Sequence, residues 1–129
     1  KQYFIWGDDQ EYTLRISRRI PSYFVTDSRV VHKMKNNKGS DISVDDYERI
    51  DRYELAFRND GCTAYRNGIM YIISYFELVA YMYKKILCEK GNGYKCKRMW
   101  VLTKGFVKGL FFRPQIEYVD EKRKKQNED

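Results

Sequence analysis

Two prolines, one histidine and three cysteines in 129 residues leave little room for several familiar chemistries. Cys62, Cys88 and Cys96 form an odd, widely spaced set, so no disulfide framework is implied, and no C-x-x-C or H-x-x-x-H pair is present to start a zinc site. Reduced thiols in a cytosolic setting are expected. No apolar run reaches the ~18 residues needed to cross a bilayer; the longest, Gly68 to Tyr83, is broken by Ser74 and Glu77. The opening KQYFIWGDDQ has neither a basic region followed by an apolar stretch nor a small-residue cleavage site, so no secretory signal is expected. Internal repeats are lacking as well.

Aromatic residues and charge, by contrast, are plentiful. A hydrophobic fraction of 43%, with twelve tyrosines and seven phenylalanines, is too apolar for a disordered chain and suits one globular unit. The net charge of +7 is unevenly placed. Up to Tyr83 there are twelve basic and twelve acidic residues, and beyond it thirteen basic against six acidic. A basic C-terminal part can face nucleic acid, an anionic membrane surface or water, and composition does not choose among them.

Gln2 to Trp6 is aromatic and β-branched and predicts a short strand ending at Gly7. Asp8, Asp9 and Glu11 at the start of the next segment, with Arg18 and Arg19 at its end, match a helix dipole and predict a short helix stopped by Pro21. Tyr23, Phe24, Val25, Val30 and Val31 then predict a second strand, kinked at Asp27-Ser28, with His32 near its end. KNNKGSD is a surface loop. Ser43 to Asp46 has the form of a capping box ahead of a helix to about Arg58. Gly68 to Tyr83 reads as a buried or interfacial helix, GNGYKCKRMW as a loop, and VLTKGFVKGLFFRP as a short amphipathic helix.

Trp6, the carboxylates Asp8, Asp9 and Glu11, and His32 share the first 32 residues. Carboxylates where a strand passes into a helix sit at the edge of a sheet where open α/β folds bind ligands, and one of them can act as a general base. A neutral imidazole beside them can complete a divalent-metal site. Each residue also has a plainer role: Asp8 and Asp9 capping the helix, His32 on the surface, Trp6 in the core, and Lys122 to Lys125 a solvated charge run.

The strings YFIWGDDQEYTLRISRR, SYFVTDSRVVHKMK and RIDRYELAFRN together resemble the later half of bacterial family 2 glycosyltransferases, nearest in look to rhamnosyl- and galactofuranosyl-transferase-like members. Phe4, Trp6, Gly7, Asp8, Asp9, Glu11, Tyr12, Leu14 and Arg15 match the first motif; Val30, Val31 and His32 match the strand ending in V-x-H; Tyr53, Arg58 and Asn59 share the character of Y-x-x-R-N, with four residues rather than two after the tyrosine. The resemblance implies Asp9 as the base that deprotonates an acceptor hydroxyl in an inverting transfer. Trp6, Asp8 and Glu11 would bind the acceptor or support the base, and His32 would hold a Mn²⁺ or Mg²⁺ bridging the nucleotide diphosphate. It also implies an α/β fold, the C-terminal portion of a GT-A (nucleotide-diphospho-sugar transferase) fold: a few short strands followed by a mainly helical C-terminal segment.

No two aspartates are separated by one position, so the D-x-D motif of the donor-binding half is missing. The expectation is a fragment, inactive alone, with residues 1–40 as the acceptor-side and catalytic-base part, 41–118 as a helical, membrane-peripheral region and 119–129 as a charged tail. Its partners would be a nucleotide-sugar donor in the complete protein, a glycan or lipid-linked acceptor and an anionic membrane surface, at the inner face of the cell membrane. Tyr3 to Trp6, left as an unprotected edge strand, would favour a homo-oligomer. The rival from another class is a non-enzymatic basic module binding nucleic acid through Lys95, Lys97, Arg98, Lys104, Lys108 and the tail, which explains the charge but not the motif.

Overall fold

A computed structural model of the chain describes residues 6–23, 25–31, 33, 39–89 and 93–115. Five helices follow in order: α1 (Asp8–Ser17), α2 (Tyr47–Ile50), α3 (Tyr53–Asn67), α4 (Ile69–Cys88) and α5 (Lys95–Phe111). Two thirds of the described residues are helical and none is in a strand, which overturns the α/β reading. The first expected strand, apart from Trp6, falls outside the described residues, as do Phe24 and His32. In the second, Val30 and Val31 are 86% and 80% exposed and the segment pairs with no strand among the described residues. A β-branched run becomes a strand when a neighbour takes its backbone groups and a core takes its side chains; here the described part has neither.

The core is built by α3, α4 and α5. On α3 the residues Tyr53, Phe57, Gly61 and Ala64 recur at intervals of three and four, giving one buried row. On α5 the equivalent row is Arg98, Val101, Leu102, Gly105 and Gly109. Gly68, at φ 99°, lets α4 reverse against α3 with one residue between them, a backbone state that a side chain would strain. The Tyr75 hydroxyl on α4 then donates to the Phe57 carbonyl on α3 at 2.8 Å. Phe106 of α5 stacks on Tyr75 at 5.8 Å and meets Phe76 edge-on at 5.4 Å. Ile42, Ile50, Val79 and Ile86 complete the apolar interior.

Three local expectations change. The capping box at Ser43 is displaced: Asp41 Oδ1 takes both the Ser43 N–H at 2.9 Å and its hydroxyl at 2.8 Å, making a turn, and the helix starts later, at Tyr47. The helix expected to end near Arg58 is interrupted at Asp51-Arg52 and then runs on to Asn67. The loop expected over GNGYKCKRMW is helical from Lys95, because Arg98 and Val101 are drawn into the core row. No helix among the described residues is long and apolar enough to cross a membrane.

Candidate functional site

Of the residues singled out from sequence, Trp6, Asp8, Asp9 and Glu11 lie where α1 meets α3. Trp6 and Gly7 both take left-handed backbone conformations, φ 77° and 75°, and turn the chain into α1. Glycine does so at little cost, whereas for tryptophan it stores ~1–2 kcal/mol that the surroundings must offset. They do so through the fully buried Asn59, whose Nδ2 donates to the Trp6 carbonyl at 2.8 Å, and through Tyr53, whose ring lies 5.7 Å from the indole. The Arg52 guanidinium is 5.7 Å from the same ring. Trp6 is therefore packed by protein rather than presented as a platform, and its buried Nε1–H has no partner among the described residues.

Asp8 and Asp9 lie exposed in the first turn of α1, where the helix dipole favours negative charge. Asp9 Oδ1 accepts the Gln10 N–H at 2.8 Å. Glu11 has a different job. It accepts from Arg15 Nε at 3.2 Å and from Arg66 Nη1 on α3 at 3.1 Å, and so ties the carboxylate-bearing helix to the core. Arg66 also donates to the Pro114 carbonyl, and Arg18 donates to Asn67 Oδ1. Glu11 is thereby committed to two guanidinium groups and is not open to a cation. His32 lies outside the described residues, and among those described no three His, Cys, Asp or Glu side chains gather as a metal site.

Asp60 is the site residue that sequence reading missed. It follows Asn59 on α3, and its Oδ1 lies 3.8 Å from where a β-carbon on Gly7 would stand. A cleft of about 210 Å³ opens there, lined by Gln10 of α1, Asp60 and Thr63 of α3, and Tyr71, Ser74 and Tyr75 of α4. Asp60 forms no hydrogen bond or ion pair among the described residues, and burial pushes its carboxyl up to about 6. The available signal was its spacing: three residues after Phe57 and four before Ala64, it is a charge on an apolar row.

A pH effect with a definite sign follows. The unfolded carboxyl ionises near 3.9. Between about pH 4 and 6 the folded chain therefore holds a proton that the unfolded chain releases, and stability from this group falls as pH rises through that window. Asp60→Asn removes the slope. Relative to the parent, the variant should gain about 2 kcal/mol between pH 4 and pH 7.5, read by urea unfolding at both values. For Asp41, Asp45 and Glu54 burial raises the carboxyl, but hydrogen bonds from Lys85, Tyr53 and Lys104 outweigh it and leave each low. Their stabilisation is lost as pH falls and is common to both proteins. A constant difference between variant and parent across this range would contradict the burial of Asp60.

No family model, curated protein or solved structure matches the chain.

Proposed function

We propose that these residues form the acceptor-side, base-carrying part of an inverting sugar transferase of the kind the sequence resembles, bacterial family 2 glycosyltransferases. The donor would be a sugar linked to a nucleoside diphosphate and bound by a separate half, and the acceptor a glycan or lipid-linked glycan. One observation carries this reading. The two stretches that bear the resemblance, Trp6 to Glu11 and Tyr53 to Asn59, meet through the Asn59–Trp6 hydrogen bond across fifty-three residues and through the Trp6–Tyr53 ring contact. Motifs scattered by chance in a sequence have no reason to support each other in space.

On this reading Asp9 is the base. Its carboxylate is exposed at the head of a helix anchored by Glu11–Arg66, so it is positioned yet reachable. As an acceptor hydroxyl attacks the anomeric carbon from the face opposite the leaving diphosphate, its proton passes to Asp9 and the configuration inverts. Asp8 stands beside it to receive acceptor hydroxyls, and Glu11 acts through position alone. A peripheral place on a membrane surface fits the exposed Ile69, Met70 and Ile73 on the outer side of α4.

The rival nucleic-acid reading loses ground in the fold. Lys97 pairs with Asp51 at 2.9 Å, Lys104 with Glu54 at 2.8 Å, and Lys108 with Glu54 as well. Lys95 donates to the Leu87 carbonyl at 2.9 Å, and Arg98 is buried. Cations spent on internal partners have less to offer a phosphate backbone.

The test is transfer of radiolabelled sugar from a panel of nucleotide-sugars by the protein joined to its donor-binding half. Asp9→Asn should lower transfer at least about a hundredfold with an unchanged melting curve, while Asp8→Asn costs far less. Full transfer by Asp9→Asn would overturn the assignment.

A further inference from the structure

We propose that the cleft between α1, α3 and α4 is a subsite for a single hydroxyl-rich ring, a sugar residue, with the Asp60 carboxylate as its anchor. Its volume, about 210 Å³, lies below the range of drug-sized pockets and suits one ring. Its lining is a carboxylate, the Gln10 amide and the hydroxyls of Thr63, Tyr71 and Ser74, mixed with the apolar Ala64 and Leu78. That mixture complements a ring carrying hydroxyls on its edge and C–H groups on its face.

Asp60 decides the class of ligand. A half-buried carboxylate that has no hydrogen-bond donor among the described residues is an unmet acceptor with about four lone-pair sites. Two neighbouring hydroxyls of a sugar can donate to its two oxygens together, whereas phosphates and carboxylates would be repelled. The Tyr75 hydroxyl is already engaged by the Phe57 carbonyl, and its ring forms part of the wall. Gln10 directly follows Asp9, so a ring seated here lies beside the turn that bears the base. Naming that ring as part of the acceptor rests on the proposed transferase function; binding by the cleft does not.

The test is a two-dimensional amide NMR titration of the chain at pH 8 with methyl α-glucoside, methyl α-galactoside and methyl α-mannoside, and with cyclohexanol as a ring of similar size lacking the hydroxyl set. At least one glycoside should give saturable shifts at Gln10, Asp60 and Ser74 with a millimolar dissociation constant. Asp60→Asn should weaken that binding about tenfold, the loss expected for hydrogen bonds to a charged acceptor, and Ser74→Ala, at an exposed position, by a few-fold. Absence of saturable shifts with all three glycosides would overturn the subsite. Equal shifts with cyclohexanol, or unchanged binding by Asp60→Asn with its fold intact, would do so too. Because binding is read without transfer, its failure beside an Asp9-dependent transferase would leave the function standing, and the converse result would leave the subsite standing.

Discussion

Arg98→Met should destabilise the chain by about 3–5 kcal/mol, the cost of breaking a buried, hydrogen-bonded charged group. Arg98 is 3% exposed and its guanidinium works entirely on backbone. It donates to the carbonyl of Ile42, to that of Asp45 at 2.7 Å and to that of Gly93 at 3.2 Å. Ile42 and Asp45 belong to the turn before α2, and Gly93 to the approach to α5, segments whose carbonyls have no helix ladder to satisfy them. Methionine fills a similar volume but leaves those acceptors unmet. Arg98→Lys should recover only part of the loss, since an ammonium point charge cannot span acceptors arranged around a planar fork. Urea denaturation measures both, and a loss under about 1 kcal/mol for Arg98→Met would show that water replaces the guanidinium without penalty.

A single methyl group added at Gly105 should cost about 2–3 kcal/mol, even though alanine favours helix over glycine by up to ~1 kcal/mol. A β-carbon there would stand 2.8 Å from the Glu54 carbonyl oxygen and 2.9 Å from the Phe57 β-carbon, with a backbone atom as the nearest neighbour. Four residues on, a β-carbon on Gly109 would stand 3.0 Å from the Tyr75 hydroxyl and 3.1 Å from the Phe57 carbonyl oxygen. The two glycines thus let α5 lie directly on the backbone of α3, and Gly105→Ala must push the helices apart or bend one of them. Gly39→Ala, where nothing among the described residues lies within 4 Å, is the comparison and should change stability by no more than about 0.5 kcal/mol. Thermal melts measure both variants, and a stabilised Gly105→Ala would refute the close approach.

The sequence made some of this visible and hid the rest for identifiable reasons. Asp8, Asp9 and Glu11 opening a segment closed by Arg18 and Arg19 predict α1 through local electrostatics alone, and the helix lies there. The apolar run from Gly68 predicts α4 by burial alone, and the helix extends past Tyr83 to Cys88 because Ile86 still has core to enter. Val30 and Val31 misled because β propensity is a statement about neighbours, which no local window contains. Ser43 misled because its hydroxyl had a nearer acceptor in Asp41, itself held by Lys85 forty-four residues away. Of the candidate site, Trp6, Asp8, Asp9 and Glu11 were legible as a cluster. Asp60 and Arg66, which face that cluster from α3, were not, since only tertiary structure brings residue 60 to residue 7 and residue 66 to residue 11.

Helix α1 contains no buried residue and is held by polar tethers: Asn59 to the chain just before it, Arg66 to Glu11, and Arg18 to the end of α3. Such contacts are worth little each and are released without disturbing the aromatic interior of the other helices. The carboxylate cluster therefore sits on the least protected of the longer helices among the described residues. Amide exchange should run fastest in α1 while α3 and α5 stay closed, and a partner that grips this helix gains affinity by ending its excursions rather than by reshaping the bundle.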